Sequence, residues 1–284
     1  MNSSIVTTRV FNNLPATIYT GKYRRMLIAS LISFACLFIM NSAQSQSVGD
    51  YRSSVSGDWN DPNIWGKFDG VSFVSPATPP TSADGVITIN AFVTVSTNVS
   101  ADQVDLSLGR LIIAPGGIFN VENSAGNDVF VGGEIQLSGG VLRLLAGSNI
   151  VISNSGPVRA FSFNSGTITG GGTIDVLTGA SFNFNGTGNM NYAQNLGTQQ
   201  VLNNSGTMSW AGNAIFYAGT INITNNGTFN ITDGDELSDG ENLPPNTLTL
   251  NNNATITKTG SVSTFFDESV VFNNNSGSLL EIGF

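Results

Sequence analysis

Histidine is absent from this 284-residue chain, and cysteine occurs once. The first absence removes the only side chain that titrates near neutral pH unperturbed, and with it the usual ligands of catalytic zinc. The single thiol, Cys36, lies inside an apolar run, so the chain beyond it has no disulfides and no thiol chemistry. Charge is scarce too, at 10% of residues. Neither the nucleophile elbow G-x-S-x-G nor the phosphate loop G-x-x-x-x-G-K-[ST] occurs. Carboxylate chemistry is what remains. A hydrolase would need two carboxylates across a bond, and a lyase would need a basic proton acceptor. Only Arg52, Lys67, Arg110, Arg143, Arg159 and Lys258 follow the first 45 residues, none beside a dense acidic phrase. Catalysis is not expected.

The first fifth of the chain reads as an address. A basic patch (Lys22, Tyr23, Arg24, Arg25) precedes an apolar run from Met26 to Met40, and small polar residues follow at Asn41–Ser45. That order is a secretory signal peptide, cleaved after Ala43 or Ser45. The run is shorter than the roughly 20 residues a spanning helix needs, so no membrane insertion is expected after cleavage. Beyond it lie all 19 acidic residues and six basic ones, a net charge of −13. Nucleic acid and anionic membranes both call for basic patches, so neither is an expected partner.

After Ser45 no stretch shows a helical period. Short alternating strands dominate, such as Val86–Ile89, Thr247–Leu250 and Thr255–Thr257. One phrase recurs, Gly-x-apolar-x-apolar: Gly133–Leu137, Gly172–Val176, Gly206–Trp210, Gly219–Ile223, Gly227–Ile231, Gly277–Ile282, and Gly117–Val121 shifted by one. Glycine permits a tight corner through positive φ, and a short strand follows. Such a phrase at irregular spacing favours a solenoid over a sandwich. The expected fold is all-β, a right-handed parallel β-helix. Its expected parts are a leader over 1–45, an N-terminal capping segment over 46–85 and solenoid repeats over 86–284. The runs Asn251–Asn253 and Asn273–Asn275 suit hydrogen-bonded ladders at solenoid corners, and equally suit polar loops.

The opening segment differs from the repeats. It holds Trp59 and Trp65 in Ser56–Trp65, a proline-rich link Pro76–Pro80, then Asp84–Ile89 and Gly109–Gly117. The succession "G-x-W-x-x-x-x-x-W", prolines, "D-x-V-x-I" and "L-x-x-x-x-G-G" resembles the start of large secreted parallel β-helix surface proteins of Bacteroidetes-type bacteria. It is also similar to a loose G8 domain. The resemblance covers roughly residues 51–125. It implies a cell-surface or extracellular protein of a Gram-negative bacterium, with the tryptophan segment capping the first turn. Relatives of this type often carry a C-terminal sorting domain; Gly277–Phe284 falls inside a repeat unit, and a further stretch of chain is expected beyond it.

Two candidate sites emerge. The acidic stretch Asp233–Glu241 is an oxygen-rich loop in which Asp233, Asp235, Asp239 and Glu241 could hold calcium, against the simpler reading of a solvated corner insertion. Leu237 and Ser238 stand where an EF-hand-like loop wants an oxygen donor and glycine. No other cofactor is expected. Tyr51, Trp59 and Trp65 could offer an aromatic platform to a glycan; as plugs of the first turn they would instead be buried. The expected function is a non-catalytic, adhesin-like scaffold whose partners are surface or matrix polysaccharides or proteins. The alternative is a β-helix that binds or cleaves polysaccharide.

Overall fold

The computed structural model describes residues 46–123, 128–186, 188–191, 199–211, 214–232, 236–239, 246–261 and 263–283. Their only helical element is a single 3-10 turn, Pro62–Ile64. Everything else regular is strand, and almost every pairing is parallel. The chain winds as a three-faced β-solenoid, as the repeated phrase predicts.

Each full turn adds one strand to each face. The first face runs from Tyr51–Ser53 through Ile87–Thr88 and seven more strands to Val270–Asn274. The second runs from Gly57–Asp58 through Phe92–Val95 to Leu279–Ile282. The third starts at Asn98–Ala101 and ends at Phe265–Phe266. Two long strands, Glu134–Leu144 and Ala160–Gly170, pass from the second face to the third without a break. The step between turns varies from 17 residues (Ile87 to Val104) to 36 (Tyr51 to Ile87), which explains the irregular spacing of the phrase. Insertions sit at corners, and the strands keep register.

Alternation along each strand sends every second side chain inward. On the first face one inner column stacks Ile87, Val104, Val129, Ile150, Ile174, Leu202, Ile223 and Leu250. On the second face Phe161 stacks on Phe182 at 4.6 Å between ring centroids, and Phe163 lies 5.8 Å from Phe184. Each buried side chain of this size contributes about 1.5–3 kcal/mol of hydrophobic stabilisation. With no disulfide among the described residues, these columns and the sheet hydrogen bonds hold the fold.

The glycine of the repeated phrase works differently from expectation. Gly219 and Gly277 have positive φ (79° and 87°), but Gly133, Gly172, Gly206 and Gly227 do not. At these four the constraint is the turn beneath. A Cβ on Gly206 would strike the Ala180 and Leu177 carbonyl oxygens, and one on Gly227 the Gly206 oxygen. Glycine is required there because stacked backbones meet at the corner.

The neighbouring inner column changes chemistry along the axis. It reads Leu106, Val131, Ile152, Val176, then Asn204, Asn225, Asn252, Asn274. The first three asparagines are fully buried. Asn204 Nδ2 donates to Asn225 Oδ1 at 2.7 Å, Asn225 to Asn252 at 2.8 Å and Asn252 to Asn274 at 2.7 Å. The same nitrogens donate to the carbonyls of Thr228, Thr255 and Leu279 across the corner. Outside this column, Asn253 Nδ2 bonds Asn226 Oδ1 at 2.8 Å and Asn275 Nδ2 bonds Asn253 Oδ1 at 2.5 Å, while Asn273 Nδ2 bonds Asn251 Oδ1 at 2.9 Å. The asparagine runs are therefore ladders, and one of them is interior.

Candidate functional site

The chemistry that reaches solvent lies on the outer faces. From Ser181 onward the second face presents one column of Ser181, Thr207, Thr228 and Thr255, and a second of Asn183, Ser209, Asn230 and Thr257. The first face presents Asn203, Thr224, Asn251 and Asn273 in register. The exposed Asn226–Asn253–Asn275 ladder runs along the corner between them. Neighbouring strands lie about 4.8 Å apart and outward residues of one strand about 6.7 Å apart, so these groups form a regular grid.

The grid is uncharged between Asp175, which accepts from Asn203 at its first edge, and Glu281, which follows Thr257 on the last turn. Strands Ser181–Phe184, Gln200–Asn204, Thr207–Trp210, Thr220–Asn225, Thr228–Ile231 and Thr247–Asn252 contain no Asp, Glu, Lys or Arg. Earlier turns differ. There Asp105 sits on the first face, and Arg110 and Glu134 pair on the second at 2.6 Å. Lys258 occupies an inner position above Ile231, and its ammonium emerges to donate to the carbonyls of Thr232 and Thr259. The grid's aromatic partners, Phe182, Phe184, Trp210 and Phe229, all point into the core.

The aromatic platform is not presented. Tyr51 and Trp59 are 1% exposed and Trp65 is 2% exposed, so no sugar ring can reach their faces. Their polar edges are satisfied internally. Trp65 Nε1 donates to Trp59 O at 2.8 Å, Trp59 Nε1 to Pro80 O at 3.1 Å, and Tyr51 OH to Thr78 O at 3.3 Å. The indoles meet edge-on at 5.1 Å, and Trp59 reaches down to Phe119 at 5.6 Å. Burial follows from local geometry: Trp65–Phe68 folds back antiparallel on Tyr51–Ser53, and the proline-rich link lies over the rings. These three residues plug the first turn.

Of the acidic stretch, Asp233, Asp235 and Glu241 lie outside the described residues, and Asp239 is half-buried after the strand Glu236–Ser238. Among the described residues, no three acidic, histidine or cysteine side chains gather as a metal site would require.

One concave site stands apart from the grid. At the last turn an apolar groove of about 640 Å³ is lined by Ile231, Ile256, Phe266, Phe272, Leu280 and Ile282, with Lys258 at its rim. Sequence reasoning gave no sign of the groove, because it forms from the inner positions of three separate faces. No family model, no curated protein and no solved structure matches this chain.

Proposed function

We propose that this protein is an exported, non-catalytic, adhesin-like scaffold that acts at the cell surface or outside the cell through the uncharged outer grid. The grid carries the reading. Columns of hydroxyl and amide groups at fixed spacing, with no charge among them, suit weak repeated hydrogen bonding to an extended neutral partner such as a surface or matrix polysaccharide or protein. A net charge of −13 beyond the leader-like segment supports solubility and disfavours polyanions. The leader-like pattern before residue 46 supports export.

A rigid grid binds by summing small terms, so single contacts matter little and their number matters much. Incubation with insoluble neutral glycans and with matrix protein should deplete the chain from solution. Thr207→Lys combined with Thr228→Lys should weaken that depletion at least tenfold, since two solvated ammonium groups would stand in the middle of the grid. Release of reducing or unsaturated sugar ends would overturn the non-catalytic reading. No depletion by either class would overturn the adhesive one.

A further inference from the structure

The two faces of the outer grid differ in what is left to bond. On the second face three strands, Thr207–Trp210, Thr228–Ile231 and Thr255–Lys258, stack in unbroken register. They present the pairs Thr207 and Ser209, Thr228 and Asn230, and Thr255 and Thr257, each side chain half-buried between its neighbours. Among the described residues none of these six side chains has a hydrogen-bond partner. On the first face part of the capacity is already taken. Asn203 Nδ2 donates to Asp175 Oδ1 at 2.8 Å, Asn251 Oδ1 accepts from Asn273 Nδ2 at 2.9 Å, and Val201 interrupts the other column below Asn222. The free donors and acceptors of the grid are therefore gathered on one flat patch of the second face.

We propose that this patch docks on an ordered neutral polysaccharide, a surface of packed chains whose hydroxyls already repeat, and not on a single flexible glycan. The inference rests on the adhesive reading above and narrows its partner. Charge is the first argument. The six groups are neutral donors and acceptors, and their complement is a neutral array of the same kind; charged groups of a protein surface would lose water here without finding a partner. Shape is the second. The larger side chains of these strands, Met208, Trp210, Phe229 and Ile231, are buried. A free oligosaccharide is held by a concave site lined with apolar and aromatic groups, and the patch offers neither. Entropy is the third. The net gain from one exposed hydrogen bond is about the size of the cost of fixing one mobile group on binding. A flexible glycan meets that cost at every sugar and gains almost nothing. A packed chain is already fixed by its own lattice, and the three strands by their sheet, so small gains add along the columns.

Retention of the full chain on crystalline cellulose and crystalline chitin, each beside its own swollen amorphous form at matched surface area, tests this. At least one crystalline form should retain the chain tenfold or more above its amorphous form, and soluble oligosaccharides of the same sugar should not compete. Thr207→Val, Thr228→Val and Thr255→Val together remove three hydroxyls, keep β-branched side chains of nearly the same shape, and should lower retention at least tenfold. Thr224→Val with Thr249→Val on the first face should leave it unchanged, and urea midpoints would show that both variants stay folded. Equal retention on crystalline and amorphous forms, competition by the soluble sugars, or retention by matrix protein alone would overturn the inference and leave the adhesive reading standing. No retention by any glycan or by matrix protein would defeat that reading itself.

Discussion

The two ends of the solenoid share one interior and treat it in opposite ways. At the first turn the core is closed: the antiparallel strands Trp65–Phe68 and Phe73–Val74, two indoles and the proline-rich link cover it, and each ring edge has a hydrogen-bond partner. At the last described turn the inner column continues to Phe272, Leu280 and Ile282, and no described residue covers them. The difference lies in sequence chemistry. Stopping a parallel stack takes a change of strand direction and rigid bulky residues, and the opening segment concentrates both. The closing turn keeps the repeat phrase itself. A repeat cannot end its own stack, because each turn offers the edge that the next one uses.

The sharpest way to break this comparison is to remove one large side chain from each end. Trp65→Ala empties a closed, fully packed site and should lower stability by about 3–5 kcal/mol. Phe272→Ala, at a site already half open, should cost on the order of 1 kcal/mol in the single chain, since much of its surface faces water. Urea unfolding of both variants checks this. Equal losses would mean that the first-turn lid closes nothing.

The asparagine column repeats the contrast with polar groups. Asn225 is buried and its Nδ2 donates twice, to Asn252 Oδ1 and Thr255 O. Asn225→Ala removes an acceptor from the Asn204 amide and the donor to Asn252 Oδ1 and Thr255 O in the interior, and should cost about 2–3 kcal/mol. Asn274, exposed at the top of the ladder, accepts from Asn252 and from Ser278 Oγ. Asn274→Ala should cost under about 1 kcal/mol, since water replaces the lost oxygen. Melting temperatures of the two variants would rank them. A larger loss at Asn274 would show that the ladder is anchored from its open end.

Much of this architecture was legible, for uneven reasons. The phrase Gly-x-apolar-x-apolar marks strands of the first and second faces because close backbone approach at their corners excludes a side chain. Positive φ, the reason expected for it, holds at Gly219 and Gly277 but not at Gly206 or Gly227. Of the copies quoted, only Gly117–Val121 lies on the third face. Ile215–Ala218 and Phe265–Phe266 start without a glycine, and Glu134–Leu144 turns its corner in mid-strand. The boundary drawn at residue 85 does not divide the winding either, since Tyr51–Ser53 already pairs parallel with Ile87–Thr88. The grid was hidden because its columns join residues 21 and 27 apart, as in Thr207, Thr228 and Thr255, and unequal corner insertions erase the period. Tyr51, Trp59 and Trp65 are conspicuous in the sequence, and only the structure shows that they are buried at the first turn.

Between the ends lies a control for both comparisons. Gln200 is 1% exposed, and among the described residues neither atom of its amide has a hydrogen-bond partner. It follows Gly172 and Ser148 in register, and the Ser148 hydroxyl is likewise buried without a partner. A column of this kind is improved by removing the polarity. Gln200→Leu should raise stability by about 1 kcal/mol. A fall in melting temperature would mean that the amide is satisfied through a bridging water.

The smallest effect concerns what pins the closed end. Lys67 on the returning strand meets Asp84, just before Ile87–Thr88, at 2.9 Å, and its ammonium lies 4.9 Å from the Tyr51 ring centre. Partial burial pushes the Asp84 carboxyl up. Hydrogen bonds from Lys67 and from the Thr81 N–H and hydroxyl outweigh it and hold the group below the usual carboxylate value. Lys67 is raised, mainly by its bond to Asp84, against a smaller effect of burial. The signs then follow. Asp84 contributes stability above its unfolded value near 3.9 and loses it as pH falls through the lower folded value. Lys67 contributes below about 10.4 and loses its share as pH rises past the raised folded value. The pair is open to solvent, so it contributes only about 0.2–1 kcal/mol, less at high salt. Asp84→Asn should therefore lower the melting temperature slightly at neutral pH and converge with the parent chain once pH falls below the lowered folded value of Asp84. Phe272→Ala should follow the parent's pH profile throughout. If the Asp84→Asn and parent curves stayed parallel down to low pH, the lid would be held by its aromatic packing and proline-rich link alone.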